Sequence, residues 1–229
     1  MTGSAAPLVL LSRSALEQNA RRVLADGGAV DLRHDAFGHG LDEVAPIVAD
    51  AGATDILVDA QQDVDRLAGR GIRARLDGTA DIDAHVLFGV PDAAESAALP
   101  VMSLEGRVLS TKPLLSGEAV SYGYTHRAQQ DTRVALVTGG YAQGILRALG
   151  NRASVQIGGG IHPIVGRIAM DVCVVDLEGT DAAAGTPVLY FGGTGAMRDA
   201  LAHWAEVTGL TALEMAVVIG RHGERSWIA

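Results

Sequence analysis

Lysine is nearly missing from this chain: among 229 residues the only one is Lys112. A side-chain amine that stays uncharged long enough to attack a carbonyl is therefore available at one position only. Cysteine is equally scarce. Cys173 stands alone, which excludes an intrachain disulfide and a thiolate metal cluster. Aromatic residues make up 4% of the chain against 48% hydrophobic residues, so the core is expected to be built mainly from Ala, Val, Leu and Ile. Positive charge is in deficit, with a net charge of -9 and a pI near 5.1. Nucleic acid and anionic membrane surfaces both call for a positive patch, so neither is expected as a partner. Long apolar runs are lacking too. Residues 8–11 are too few, and Glu214 interrupts the run that ends at Ile219, so no membrane-spanning helix is expected. The opening residues are neither basic nor followed by a long apolar stretch, as a secretory signal requires, and a cytoplasmic place is expected.

What is present alternates between strand and helix signals up to about residue 90. Residues 7–11 read as a strand, with Ser12 or Ser14 placed to cap a helix that carries Leu16, Ala20, Val23 and Leu24. Residues 29–32 and 56–58 read as strands, 41–51 and 61–68 as helices, and 72–76 and 85–90 as further strands. Strands alternating with helices of this length predict βα units with a largely parallel sheet, open enough to expose strand edges and apolar surface. Residues 91–100 are small, acidic and loop-like, as in a linker. Beyond them the period falls to two: 101–110, 119–124, 133–138, 154–157, 161–170, 172–177 and 187–191 read as strands, with Gly158-Gly159-Gly160 as a hairpin turn. A helix is expected over 196–207 and a final strand or turn over 216–219. The fold class expected is α/β plus β, divided into residues 1–90 and 91–229.

Four segments carry candidate chemistry: Arg33-His34-Asp35-Ala36-Phe37-Gly38-His39-Gly40, Val101-Met102-Ser103-Leu104, Ser121-Tyr122-Gly123, and Gly140-Tyr141-Ala142-Gln143-Gly144 followed by Val165-Gly166-Arg167-Ile168-Ala169-Met170-Asp171. Arg33 reads either as a strand-end arginine paired with Asp31 or Asp35, or as an anion-binding group. Tyr122 and Tyr141 read either as packing residues or as site residues. His34 and His39 are five apart, which suits no metal pair on a helix or strand, and no metal is expected. Phe191-Gly192-Gly193-Thr194-Gly195 lacks the last glycine of a G-x-G-x-x-G pattern, where Arg198 stands, and the Lys-Ser/Thr of a phosphate loop, so it is expected to be a strand-to-helix turn with Thr194 near the cap.

In this order the four segments resemble the alanine racemase family. The resemblance implies a β/α barrel, an antiparallel C-terminal β domain and pyridoxal phosphate. It covers residues 101 to about 189 and patches of 8–58, and Leu87-Phe88-Gly89-Val90 is similar to the family's last barrel strand. About 90 residues precede the β domain, where a closed eight-unit barrel takes ~200 or more, so only a partial barrel is expected. In the family a lysine in a Lys-Ala-Asp-Ala-Tyr-Gly-His-Gly segment forms the Schiff base and is one of two racemising bases. Arg33 matches that lysine, and Phe37 matches the tyrosine that reaches the cofactor phosphate. The family's arginine facing the pyridine nitrogen falls near Ile82, and a further cofactor tyrosine is missing from Thr211-Ala212-Leu213-Glu214.

The second racemising base of the family matches Tyr122, which there reaches the neighbouring subunit. Tyr141 matches a tyrosine lining the substrate channel, and Met170 and Asp171 match a pair lying near the substrate carboxylate. Gln143 stands where aspartate is usual, and Leu146 where proline is usual. The resemblance therefore implies an alanine racemase-like homodimer, a pseudoenzyme that has lost pyridoxal-phosphate racemase activity and keeps a binding or dimerisation role. Two alternatives remain: an amino-acid racemase working in D-alanine formation across a dimer through Tyr122 and Arg33, and a regulatory partner of a complete racemase.

Overall fold

The computed structural model describes residues 6–90 and 97–229. They form two compact units. One gathers residues 6–10, Ser103–Thr211 and His222–Ser226; the other gathers Leu11–Met102, Ala212–Arg221 and Trp227–Ala229. The expected linker falls largely on 91–96, outside the described residues.

Strand β1 (Leu8–Ser12) opens the chain, and it joins the large antiparallel sheet described below rather than the parallel one. The α/β unit proper begins with α1 (Arg13–Val23). Ser12 caps it, its Oγ accepting from the Ala15 amide at 3.2 Å. Helix α1 buries Leu16 and Ala20, and also Asn19, whose amide donates to the carbonyls of Leu87 and Leu99 and accepts from the Leu99 amide. A buried amide satisfied on both sides fixes those segments against α1.

Strand β2 (Ala29–Asp31) leads into α2 (Arg33–Phe37), a single left-handed turn with φ of 57°, 58°, 53° and 51° at His34, Asp35, Ala36 and Phe37. Left-handed backbone costs roughly 1–2 kcal/mol per non-glycine residue. Local bonds offset it: Ala36 N donates to the Leu32 carbonyl at 2.9 Å, and Leu41 N to Asp35 Oδ1 at 2.8 Å. Then come α3 (Leu41–Asp50), β3 (Asp55–Leu57), α4 (Gln61–Ala68) and β4 (Ala74–Arg75). Strands β2, β3 and β4 pair in parallel, with Val30 opposite Ile56 and Ile56 opposite Ala74.

The outer side of β2 is not bare, as the sequence led us to expect. The Ala29 carbonyl accepts from the Asp81 and Ile82 amides, and the Ala29 amide donates to Asp81 Oδ2. Residues 85–90, expected as a strand, form α5 (Ala84–Phe88). Asp83 caps its start and Gly89, at φ 59°, ends it. Capping and the burial of Leu87 and Phe88 decide for helix over a run too short to show a period.

The β unit contains β5 (Met102–Leu114), β6 (Ala119–Val120), β7 (His126–Arg127), β8 (Thr132–Thr138), β9 (Ser154–Ile157), β10 (Gly160–Val165), β11 (Val172–Asp176) and β12 (Pro187–Phe191). Strands β12-β9-β10-β11-β8-β5 pair antiparallel in that order, and β5 pairs back onto β12, closing a six-stranded barrel. Closure leaves these six strands no free edge. Val137, Val155, Ile164, Val175, Val188 and Tyr190 are buried, and the Tyr190 hydroxyl donates to the Thr138 carbonyl at 2.7 Å. Burial pushes the Cys173 thiol beside it up to about 12.

Helix α6 (Ala200–Thr208) follows, then α7 (Ala212–His222) and β13 (Glu224–Ile228). The stretch 216–219, expected as a strand or turn, is inside α7, whose buried Ala212, Met215, Ala216 and Ile219 lie at helical spacing. That helix packs on the left-handed turn. A Cβ on Gly220 would stand 2.1 Å from the Gly38 carbonyl oxygen, and one on Gly38 2.6 Å from that of Ala216.

Candidate functional site

Four of the five sequence-selected residues meet at connected turns of the β unit. Tyr122 lies in the turn between β6 and β7, which Leu114, Val120, Ala128, Val134 and Val165 anchor as one apolar cluster. Ser121 adopts φ 68° and its Oγ donates to the Arg167 carbonyl at 2.6 Å. Gly166 permits that approach, because a Cβ there would fall 2.3 Å from the Ser121 Cβ. The Tyr122 ring is 74% exposed, and its hydroxyl meets no hydrogen-bond partner among the described residues.

The Arg167 segment continues into Met170 and Asp171, which bind the Tyr141 turn through the backbone. Tyr141 N donates to the Ala169 carbonyl, Ala142 N to that of Met170, both at 3.0 Å, and Gly139 N to that of Asp171 at 2.8 Å. The Gln143 amide spans the same two segments. Its Oε1 accepts from Gly140 N at 2.9 Å and its Nε2 donates to Asp171 Oδ1 at 3.0 Å. Arg147 places its guanidinium 5.5 Å from the Tyr141 ring centre, a cation–π contact. The sequence reading placed Ser121 and Arg167 in its candidate segments without giving them a role, and it did not single out Arg147. The signal for the first two was the pair of flanking glycines, Gly123 and Gly166, each packed against the other's loop. The arrangement presents an exposed phenol, a half-exposed one and a bridged carboxylate, which are hydrogen-bonding groups for a polar ligand.

Arg33 belongs to the other unit, at the end of β2. Its Nε donates to both carboxylate oxygens of Asp31, at 2.9 and 3.1 Å, its Nη2 donates to Oδ2, and its amide donates to Oδ1. The guanidinium is thus forked onto one carboxylate. Burial works to raise the Asp31 carboxyl, but the hydrogen bonds and charge of Arg33, aided by His34, outweigh it and hold the group below its ordinary value. Arg33 is raised by its hydrogen bond to Asp31, then by that residue's charge. His34 N donates to Asp59 Oδ2 at 2.5 Å, and Phe37 packs edge-on against Phe88 with ring centres 6.1 Å apart. Among the described residues no group of three or more His, Cys, Asp or Glu side chains is placed to hold a metal ion.

The pyridoxal phosphate implied by the resemblance can be tested against these residues. At position 33 there is a guanidinium committed to Asp31, which is no Schiff-base nucleophile. Phe37 brings a ring and no hydroxyl, and Ile82 packs its apolar side chain against Gly28. Lys112 is exposed on β5, opposite Val134 in the other unit. These residues do not fit a covalently held pyridoxal phosphate.

A closed antiparallel barrel with tyrosine-bearing turns, joined in one chain to a parallel βα unit, defines a two-unit α/β plus β protein. The family model described as alanine racemase, C-terminal domain, matches residues 101–227, more than half of the chain, which therefore belongs to the alanine racemase family. Curated relatives include alanine racemases from Mycobacterium avium, 40% identical over 130 residues, and Mycolicibacterium vanbaalenii, 42% identical over 120. These alignments cover 56% and 52% of this chain but only 34% and 31% of the relatives, so the chain spans about a third of their length. Among solved structures, alanine racemase from D-cycloserine-producing Streptomyces lavendulae superposes with a TM-score of 0.85 at 17% identity, covering 99% of this chain and 98% of that one. Alanine racemase from E. faecalis gives 0.84 at 16%, covering 100% of both. At such identities the likeness establishes the fold alone. No helix among the described residues is long and apolar enough to cross a membrane.

Proposed function

We propose that this chain is an alanine racemase-like protein without covalent pyridoxal-phosphate racemase activity, which retains a binding or dimerisation role. The observation that carries the reading is Arg33, which stands where the family's reactive lysine is expected and whose guanidinium is forked onto Asp31. An amine would have to be both present and free there, and neither condition is met. In this reading residues 1–90 are a shortened, partial-barrel segment and 91–229 the racemase-type β domain, working in the cytoplasm. Tyr122, Tyr141, Met170 and Asp171 are retained as binding groups, and Tyr122 is the group that a dimer partner meets.

The exposure of Tyr122 favours a second reading, an amino-acid racemase that forms D-alanine across a dimer with Tyr122 as its acid/base. The test separates the two. The purified protein is mixed with pyridoxal phosphate, its visible spectrum is recorded before and after borohydride, and alanine racemisation is assayed. The expected result is no absorption band that borohydride fixes to the chain and no racemisation. A band reduced onto the protein together with racemisation would overturn the proposal in favour of the second reading. Arg33→Lys is expected to leave both measurements unchanged, since it restores an amine but not the hydroxyl absent at Phe37.

A further inference from the structure

Asparagine is never followed by glycine in this chain, but aspartate is so followed twice, at Asp26-Gly27 and Asp77-Gly78. At such a step the aspartate carboxyl lies within reach of the next amide nitrogen, and glycine puts no Cβ in the way. The fold treats the two steps differently. Just past the end of α1, Gly27 N donates to the Leu24 carbonyl at 2.9 Å, so its N–H is committed. Asp77 and Gly78 are both exposed. Gly78 N makes no hydrogen bond to any described residue, and the Asp77 carboxylate has no partner among them.

Arg75, at the end of β4, prepares the second step. Its Nε donates to Asp55 Oδ2 at 2.8 Å, which fixes the guanidinium. Its Nη1 donates to the Asp77 carbonyl and its Nη2 to that of Thr79 at 3.3 Å, so the loop wraps around this side chain. A Cβ on Gly78 would stand 1.6 Å from Nη1, and Gly78 adopts φ 120°, which suits glycine alone. A charged donor on the Asp77 carbonyl draws electron density from the Gly78 nitrogen and eases removal of its proton.

We propose that Asp77-Gly78 is a modification site at which the folded chain forms isoaspartate without an enzyme, while Asp26-Gly27 is protected. Gly78 N, having lost its proton, attacks Cγ of the Asp77 carboxylic acid. The N–Cγ bond forms, a Cγ–O bond breaks and one water leaves, giving a cyclic succinimide. One water then adds at the α-carbonyl carbon and breaks its bond to the Gly78 nitrogen, so the chain now runs through Cγ. The net change is an isomerisation and needs no oxidant or cofactor. It lengthens by one backbone atom the segment whose Asp81 and Ile82 amides reach the Ala29 carbonyl on β2. The site involves neither position 33 nor the tyrosine turns, so it stands or falls apart from the proposed function.

The test incubates the full chain in warm, mildly acidic buffer, folded or unfolded in urea. Isoaspartate is counted by methyl transfer from S-adenosylmethionine with a protein-isoaspartate methyltransferase and is located by peptide mapping. The folded chain should form it at Asp77 and not at Asp26, and the unfolded chain at both. Amide exchange at Asp81 and Ile82 should quicken in the modified protein. Gly78→Ala should slow the reaction at Asp77 about tenfold, and continued silence at Asp26 shows that this variant is folded. Isoaspartate at Asp26 as fast as at Asp77 in the folded chain would overturn the proposal. So would none at Asp77 over the time in which the unfolded chain forms it at both, or an undiminished rate in folded Gly78→Ala.

Discussion

Asp31 and Arg33, two residues apart at the end of β2, decide the chemistry of that position by holding each other. Because Asp31 is held below its ordinary value in the folded chain, the pair's stabilisation is fully present above the unfolded carboxyl value of about 3.9 and is lost as pH falls through the lower folded value. Asp31→Asn is therefore expected to lower stability at pH 7 by about 1 kcal/mol, a figure reduced for solvent screening at the partly exposed guanidinium. In urea unfolding the gap between the two proteins should narrow and close as pH falls through the lowered value of the folded Asp31 carboxyl. A gap that persisted there would show that packing, not charge, is responsible. The sequence alone left Asp31 and Asp35 as equal partners for Arg33. The left-handed backbone separates them, turning Asp35 toward the Leu41 amide.

At the scale of elements, legibility followed periodicity and capping. Helix α1 was readable from its apolar spacing and Ser12, and the βα alternation through α4 from the same signals. Helices α5 and α7 were misread, because Val86-Leu87-Phe88 and the run ending at Ile219 are apolar without a period short enough to settle them. What makes α7 a helix is its seat: Gly220 meets Gly38 across a gap too narrow for any side chain. Gly220→Ala should destabilise the α/β unit by about 1–3 kcal/mol, the usual cost of overpacking, read as a lowered urea midpoint. An unchanged midpoint would mean that α7 is free to move away from the turn. The three connected segments of the candidate site belong to this scale as well. Their residues were visible in sequence, but their connection through Ser121, Arg167 and Gln143 runs over gaps of 28 and 46 residues.

For the whole molecule, Leu115, Tyr122, Tyr124 and Met170 leave large apolar surface exposed in a chain with few aromatics. Such surface commonly marks an interface. The proposed dimer predicts sedimentation at about twice 23.6 kDa, shifted toward the monomer by Tyr122→Glu. A monomer at tens of micromolar would refute the dimerisation role, and a mixed species formed with a complete racemase would favour a regulatory one. By itself the sequence determined the α/β-then-β order, the acidic balance of charge, the family's motifs and the guanidinium at position 33, because composition, period and residue type are local properties. Only the tertiary structure decided the fate of β1, the covering of β2 by Asp81 and Ile82, and the closing of β5 onto β12. Each of these depends on which distant segments meet, and hydrogen bonding between them is satisfied by geometry that no local pattern encodes.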